Sequence, residues 1–338
     1  MRAKIGKWTI WILALSGTLI SASIFALAVG STSIPFTEIV EVIFKGKGTI
    51  GHSILFDLRL PRIVLGFAIG GGLSLAGVIL QGMFRNPLVE PYTLGISGGA
   101  ALGVCLNIVL RLPDKIGIIS FPLFGFLGAI LVITIIYLLS IKRGILRIPT
   151  LLLTGVMVSF IASSLIMLAM AITRTEDLHG IVFWIMGSLA EADWWLIKAM
   201  VLVSIISMVI SYFFSLDLNA LSLGEEEAMH LGLNIEKSKR LLFLISALLT
   251  GCSVSIGGII GFVGLLVPHF MRMLVGSDHR ILLIASFLGG GAFLILCDTL
   301  ARTIISPLEL PVGVITGIIG GILFIYALTK KEMMFWGK

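Results

Sequence analysis

Charge is scarce in this chain. Only 12% of its 338 residues are charged, about half the share of an average globular sequence, and the mean hydropathy is +1.12. A soluble core has no use for 58% hydrophobic residues, so a soluble globular domain is excluded. Cysteine is scarce too. Cys105, Cys252 and Cys297 are odd in number and each lies inside an apolar run, which removes a disulfide framework and a metal-ligand spacing and leaves packing as their role. The phosphate-binding GxxxxGK[ST] loop is missing. Its nearest approximation, GKGTIGHS at 46–53, lacks the Lys-Ser/Thr ending that would hold phosphate and magnesium. No HExxH occurs, and His52, His179, His230, His269 and His279 are scattered. These absences leave no catalytic residue, no metal site and no nucleotide site, and they point away from an intramembrane enzyme.

Carboxylates are nearly missing from the centres of the apolar runs, where an ion-coupled secondary transporter keeps its titratable groups. Asp298 and Arg302 stand four apart near one end of the ninth run and are spaced to pair on a helix. If a solute moves uphill through this chain, the energy enters from another protein. The net charge of +6 does not point to nucleic acid, because the basic residues sit at the ends of apolar runs.

What the sequence does contain is ten such runs, at roughly 8–30, 62–84, 93–110, 117–140, 150–172, 194–215, 240–256, 258–275, 281–300 and 312–329. Most are close to the ~20 residues a helix needs to cross a bilayer core. The run from Trp8 to Val29 follows a basic start (Arg2, Lys4, Lys7) and ends near Ala26-Leu27-Ala28, like a signal peptide. It exceeds the roughly 7–15 residues of a signal core and reads as a retained first crossing. Of the 24 Lys and Arg, eight (Lys45, Lys47, Arg59, Arg62, Arg111, Lys115, Arg174, Arg302) fall on one set of connections, Lys198 lies within the sixth run, and the remaining fifteen fall on the other set with the termini. That excess places both termini in the cytoplasm, and an even number of crossings agrees.

The stretch from Arg59 to Gly103 organises the rest. It reads LRLPR, an uncharged run, a polar elbow (RNPLVEP) and a glycine-rich segment whose small residues admit another backbone closely. Outside, residues 31–57 and 173–193 form loops. The second contains Ile181–Leu189 (IVFWIMGSL), too short to span, which is either an aromatic interface anchor or a half-helix dipping into the membrane. Inside, the longest loop is 217–240 (DLNALSLGEEEAMHLGLNIEKSKR). Glu225, Glu226 and Glu227 suit the positive end of a helix, Met229 and Leu231 can share an apolar side with Ala228, and Gly232 is placed to stop the helix. A short amphipathic helix with three glutamates is repelled by an anionic leaflet, so a protein partner is favoured over lipid. A faint internal echo joins 75–91 and 248–268, two apolar stretches joined through glycine-rich turns and running in opposite senses, as inverted repeats do in transporters.

LRLPR (58–62), QGMFRNPLVEPYTLGISGGAALG (81–103), WIMGSL (184–189), GEEEAMHLGLN (224–234), GGIIGFVGLLVPHFMR (257–272), DTLAR (298–302) and PVGVITGIIGG (311–321) together resemble the FecCD family, the permeases of type II ABC importers for cobalamin, haem and iron–siderophores. The resemblance covers nearly the whole chain in the family's order. It implies an all-α polytopic membrane protein with a BtuC-like fold, one transmembrane permease domain over 1–338, about ten transmembrane helices and short interrupted or interfacial helices. It further implies a second permease subunit (a homodimer or close heterodimer), two ABC ATPase subunits that bind the ATP and magnesium, no cofactor on this chain, and an extracytoplasmic substrate-binding protein. The implied location is the cytoplasmic (inner) membrane of a bacterium or archaeon. By position, Gly224, Glu225, Glu226, Ala228, Leu231 and Gly232 become ATPase-coupling residues. Arg59, Arg62 and Arg302 become the basic pocket for acidic side chains of the binding protein, a task suited to guanidinium forks. Asn86 and Leu88 match one cytoplasmic gate loop. Ile148, Pro149 and Thr150 occupy the other, where Ile148 and Pro149 replace small hydroxyl residues of a well-known member. Gly313, Gly317 and Gly321, four apart, are read as a surface on which helices slide. The rival classes are an ion-coupled secondary transporter and a non-transporting scaffold.

Overall fold

Each apolar run becomes a helix in the structure, a computed structural model that describes residues 2–30, 50–190 and 193–329. The α-helices longer than four residues are α1 Arg2–Ala28, α2 Leu60–Phe84, α3 Ile96–Val109, α4 Ser120–Ser140, α5 Ile148–Ile172, α6 Thr175–Met186, α7 Trp194–Phe213, α8 Ser215–Leu223, α9 Glu225–His230, α10 Ile235–Gly257, α11 Val263–Val275, α12 His279–Thr303 and α13 Val312–Thr329. A two-residue hairpin, β1 Ile141–Lys142 and β2 Ile145–Leu146, pairs antiparallel between α4 and α5.

Among the described residues seven helices are long and apolar enough to cross a membrane alone, while α3, α11 and the apolar part of α13 are shorter. At 1.5 Å per residue the 13 residues of α11 reach about 20 Å, two-thirds of a ~30 Å core. The seven spans and the three shorter helices together account for the ten apolar runs, in keeping with the expected fold of about ten transmembrane helices, some of them short or interrupted. α3 and α11 are each preceded by a stretch outside regular α-helix, 85–95 with a 3₁₀ turn at Pro91–Leu94, and 258–262, which a bilayer tolerates only where protein covers it. Those two stretches belong to the segments that echo one another in sequence, and they pack together: the Tyr92 hydroxyl accepts from the Ile260 N–H at 3.0 Å and Glu90 Oε1 from the Phe262 N–H at 2.5 Å.

The centre is α2, packed against α7, α10, α11 and α12. Of the most apolar window in its run, 89% is buried, against 22% in α5. Leu131 and Leu138 on α4, and Leu153 and Phe160 on α5, are exposed on the outside of the bundle. Two glycine crossings let α2 sit so deep. A Cβ at Gly70 would lie 2.3 Å from the Gly290 carbonyl oxygen on α12, and one at Gly77 would lie 1.9 Å from the Gly264 oxygen on α11. Backbones touch there without side chains between them.

Several boundaries move. Residues 31–49 of the expected outer loop lie outside the described residues. From Ile50 the chain is already helical, through Ile50–Ser53 and a π-helical turn Ile54–Arg59 that leads into α2. Pro61 lacks an N–H and would break an ordinary helix; the widened turn before it accommodates the ring. In place of a 173–193 loop, α6 begins at Thr175, six residues before the apolar stretch, with Glu176 and Asp177 in its first turn at the positive helix end. The 217–240 loop contains α8 and α9, and α10 starts at Ile235 because the Asn234 side chain caps it, accepting from the Lys237 N–H at 3.1 Å. The proposed glycine stripe on α13 is not one surface. A Cβ at Gly313 would meet the Ile259 and Met186 carbonyls, one at Gly321 would touch Phe262 Cζ at 3.9 Å while the closer approach to Phe262 is at Gly320, and Gly317 meets nothing within 4 Å among the described residues.

Candidate functional site

One end of the bundle carries both described chain termini. Lys4 near the start pairs with Asp278 between α11 and α12, and Phe324 on α13 stacks edge-on against His269 of α11. This terminal face gathers the expected coupling and gate residues; the opposite face holds the three arginines.

On the terminal face α9 occupies one and a half turns between two glycines. Gly224, with φ +139, precedes it, and Gly232, with φ +80, follows it. The Gly232 N–H donates to the Met229 carbonyl at 2.9 Å and the Leu233 N–H to that of Ala228 at 3.4 Å, the paired bonds of a Schellman stop, which a residue with a Cβ resists. Ala228 is fully buried, whereas Met229 and Leu231 are 58% and 65% exposed. The three do not share a face as expected. Ala228 seats the helix on the protein, and Met229 and Leu231 project outward beside exposed Glu225, Glu226 and Glu227.

The gate candidates lie on two loops flanking this helix. Asn86 follows the left-handed Arg85 that ends α2, and its side chain accepts from the Leu88 N–H at 2.9 Å, an Asx turn that leaves Leu88 exposed. The Arg85 guanidinium reaches α9: a Cβ at Gly224 would stand 3.5 Å from its Nη1. Ile148 and Pro149 open α5 with Thr150, directly after the β hairpin, and the proline fits there because an N–H at the second helical position needs no partner.

Sequence reasoning missed the polar ties beneath these loops. Gln81, fully buried, donates to the Gly264 carbonyl at 3.3 Å and accepts from Arg272 at 3.1 Å. Asp278 caps α12 and binds Arg280, Asn219 and Lys4, while Lys4 and Arg280 both lie over the Trp8 ring. Its hydrogen bond with Arg280, aided by those to Asn219 and Lys4, outweighs burial and holds the Asp278 carboxyl well below the usual carboxylate range. Lys239, one residue from the boundary expected for the seventh run, is 1% exposed. Only the excess of basic residues on this face hinted at such ties.

On the opposite face each arginine already has an acceptor. Arg59, buried, donates to the Leu27 carbonyl. Arg62 pairs with Glu309 at 2.7 Å. Arg302 pairs with Asp298 at 3.0 Å, both side chains under a tenth exposed. Arg59 and Arg302 are therefore interior groups; reversing the charge of Arg302 would leave Asp298 buried against a like charge, a costly state that would not leave the fold intact, and reversing that of Arg59 would lose its bond to Leu27. Only the Arg62–Glu309 pair, with Glu309 43% exposed, stands at a rim that a docking carboxylate could enter by displacing Glu309. Nearby, a cavity of about 370 Å³ is lined by Phe121, Phe183, Trp184, Asp193 and Glu309, with the end of α10 at its wall.

A bundle of spanning and shorter apolar helices, with a short acidic helix at one face, is the architecture of an all-α polytopic membrane protein. The chain belongs to the FecCD transport family, whose model matches residues 18–330. It is similar to the hemin transport system permease protein HmuU of Yersinia pestis, 39% identical over 82% of this chain and 84% of that protein. It is also similar to the vitamin B12 import system permease protein BtuC of Vibrio vulnificus, 35% identical over 96% of both. A solved structure described as an inward-facing metal-chelate type ABC transporter superposes with a TM-score of 0.83 at 33% identity, covering 96% of this chain and 99% of that one. The fold is that of an ABC-importer permease.

Proposed function

We propose that this chain is the membrane permease of an importer for a metal chelate of the haem, cobalamin or iron–siderophore kind, driven by two separate ATPase subunits. The observation that carries the reading is α9: an acidic helix with two exposed apolar side chains, seated on the bundle by a buried alanine. That surface suits insertion into a cleft of another protein and not residence on an anionic leaflet. The terminal face is cytoplasmic, in keeping with its excess of Lys and Arg, in the inner membrane of a bacterium or archaeon. ATP and magnesium bind the partner ATPases, and a second permease copy completes a path along a dimer axis. A substrate-binding protein docks at the opposite face, with Arg62 and Glu309 at the rim of its seat. The names of HmuU and BtuC support a chelate as cargo.

Nucleotide drives transport only by stabilising one access state more than the other. ATP-induced closure of the ATPases moves α9, and α9 is linked to both gate loops, through Arg85 beside Gly224 on one side and, on the other, through Lys239, which binds both Glu225 and Leu146 of the hairpin before Ile148, Pro149 and Thr150. Asn86 and Leu88 line the first gate. Proteoliposomes holding the permease, its ATPase and its binding protein test the cargo, with haem, cobalamin, a ferric hydroxamate and molybdate supplied in turn. ATP-dependent uptake of one of the three chelates is expected. Uptake of molybdate alone would overturn the chelate assignment.

A further inference from the structure

Lys239 is among the largest fully buried side chains of the described residues and carries a charge, and no part of the proposed docking surface accounts for it. It lies in the second turn of α10. Its ammonium stands 2.6 Å from Glu236 Oε1 on the same helix, 3.2 Å from Glu225 Oε2 at the first residue of α9, and 3.1 Å from the Leu146 carbonyl in β2. An ammonium has three donors, and each has an acceptor on a different element. Glu236 turns its other oxygen to the Leu146 N–H at 2.8 Å, so both backbone groups of Leu146 are held by α10. Arg240 holds the Gly144 carbonyl in the same hairpin. Leu146 itself is buried and stands two residues before Ile148, where α5 begins.

We propose that Lys239 is a positioning residue that ties α9 to the β1–β2 hairpin, so that displacement of the docking helix is delivered to the loop opening α5. This deepens the reading of the chain as an ATP-driven permease and rests on it. A fold staple alone would explain the contacts with Glu236 and Leu146, which already pair the buried charge. It does not explain the third contact. Glu225 is 48% exposed, stands in a run of three mutually repelling glutamates, and is the one of them that turns back to the protein. The Glu225–Lys239 contact crosses between the surface that a partner moves and the buried body that the hairpin follows. Release of Glu225 leaves one of the three donors of a buried ammonium without its acceptor, so a shift of α9 that keeps the bond carries Lys239, and with it Leu146, along.

The test uses the full permease–ATPase complex with an environment-sensitive fluorophore on Ile145→Cys, an exposed hairpin position. ATP with vanadate is expected to change its emission in the otherwise unaltered protein. In Lys239→Met that response falls about tenfold, within the range of typical coupling energies, while ATP hydrolysis by the complex persists; in Glu225→Gln it falls as far when read per mole of ATPase bound. Lys239→Arg restores the response, and the double variant is no worse than Lys239→Met alone, as two members of one chain require. Glu225→Gln leaves the buried Lys239–Glu236 pair in place and decides the question even if Lys239→Met does not fold. A full hairpin response in Glu225→Gln, or no response in the unaltered complex while it hydrolyses ATP, would overturn the inference. Failure of the unaltered permease to bind any ATPase would instead remove the reading beneath it.

Discussion

Gly77→Val is expected to prevent the permease from reaching its native packing. The Cβ alone would fall 1.9 Å from the Gly264 carbonyl oxygen, and the obstacle is backbone on both sides, with no flexible side chain to swing away. Gly264 has no room to retreat, since a Cβ there would lie 2.6 Å from Pro91 Cδ and 2.9 Å from the Leu73 oxygen. Overpacking in a filled core costs about 1–3 kcal/mol and sometimes more; here α2 and α11 must separate, so a loss of about 3 kcal/mol or greater is expected. The readout is the thermal midpoint and yield of monodisperse protein in detergent, with Gly317→Ala as the control, because nothing described lies within 4 Å of Gly317. An unchanged midpoint for Gly77→Val would mean that the α2–α11 crossing is not as close as described.

Met229→Glu with Leu231→Glu is expected to abolish ATP-driven uptake while leaving the fold alone. Both side chains are more than half exposed, and surface substitutions of this kind change stability by only about 0.5 kcal/mol or less. At the centre of an interface, each apolar anchor lost costs about 2 kcal/mol, roughly thirtyfold in affinity. Co-purification of the ATPase on the tagged permease reads the effect directly. Ala228, although a neighbour in sequence, is the wrong position for this test: it is fully buried, and a bulky charge there would damage the seat of α9 before any partner was met. Undiminished co-purification with both glutamates in place would show that the ATPase docks elsewhere.

The apolar runs were readable because bilayer burial demands long uncharged stretches, and each run located in the sequence is a helix in the structure. Gly232 was readable for a similar reason: only a left-handed residue ends α9 with that pair of hydrogen bonds. What could not be read was depth. Val263–Val275 looks like any apolar run until the five residues before it are seen to hang from Tyr92 and Glu90, 168 and 172 positions from their partners Ile260 and Phe262. Phe262, with φ +68, carries a conformation that costs about 1–2 kcal/mol outside glycine, and nothing local announces it. Burial of charge was equally hidden. Arg59 and Arg302 look like surface groups beside the other helix-end arginines, and Lys239 looks like one more basic residue on a cytoplasmic loop. Only tertiary contact shows that the first two face inward and that the third bridges three elements.

The central claim is that this subunit has no source of free energy of its own and is moved through α9. The most direct measurement places the purified chain alone in liposomes, with ATP on either side or with proton and sodium gradients imposed, and follows accumulation of the chelate that the complete transporter imports. The lone chain is expected to accumulate none and to hydrolyse no ATP, and addition of the ATPase and the loaded binding protein is expected to start uptake. Concentrative uptake by the lone chain under an ion gradient would contradict the account and return the chain to the ion-coupled class.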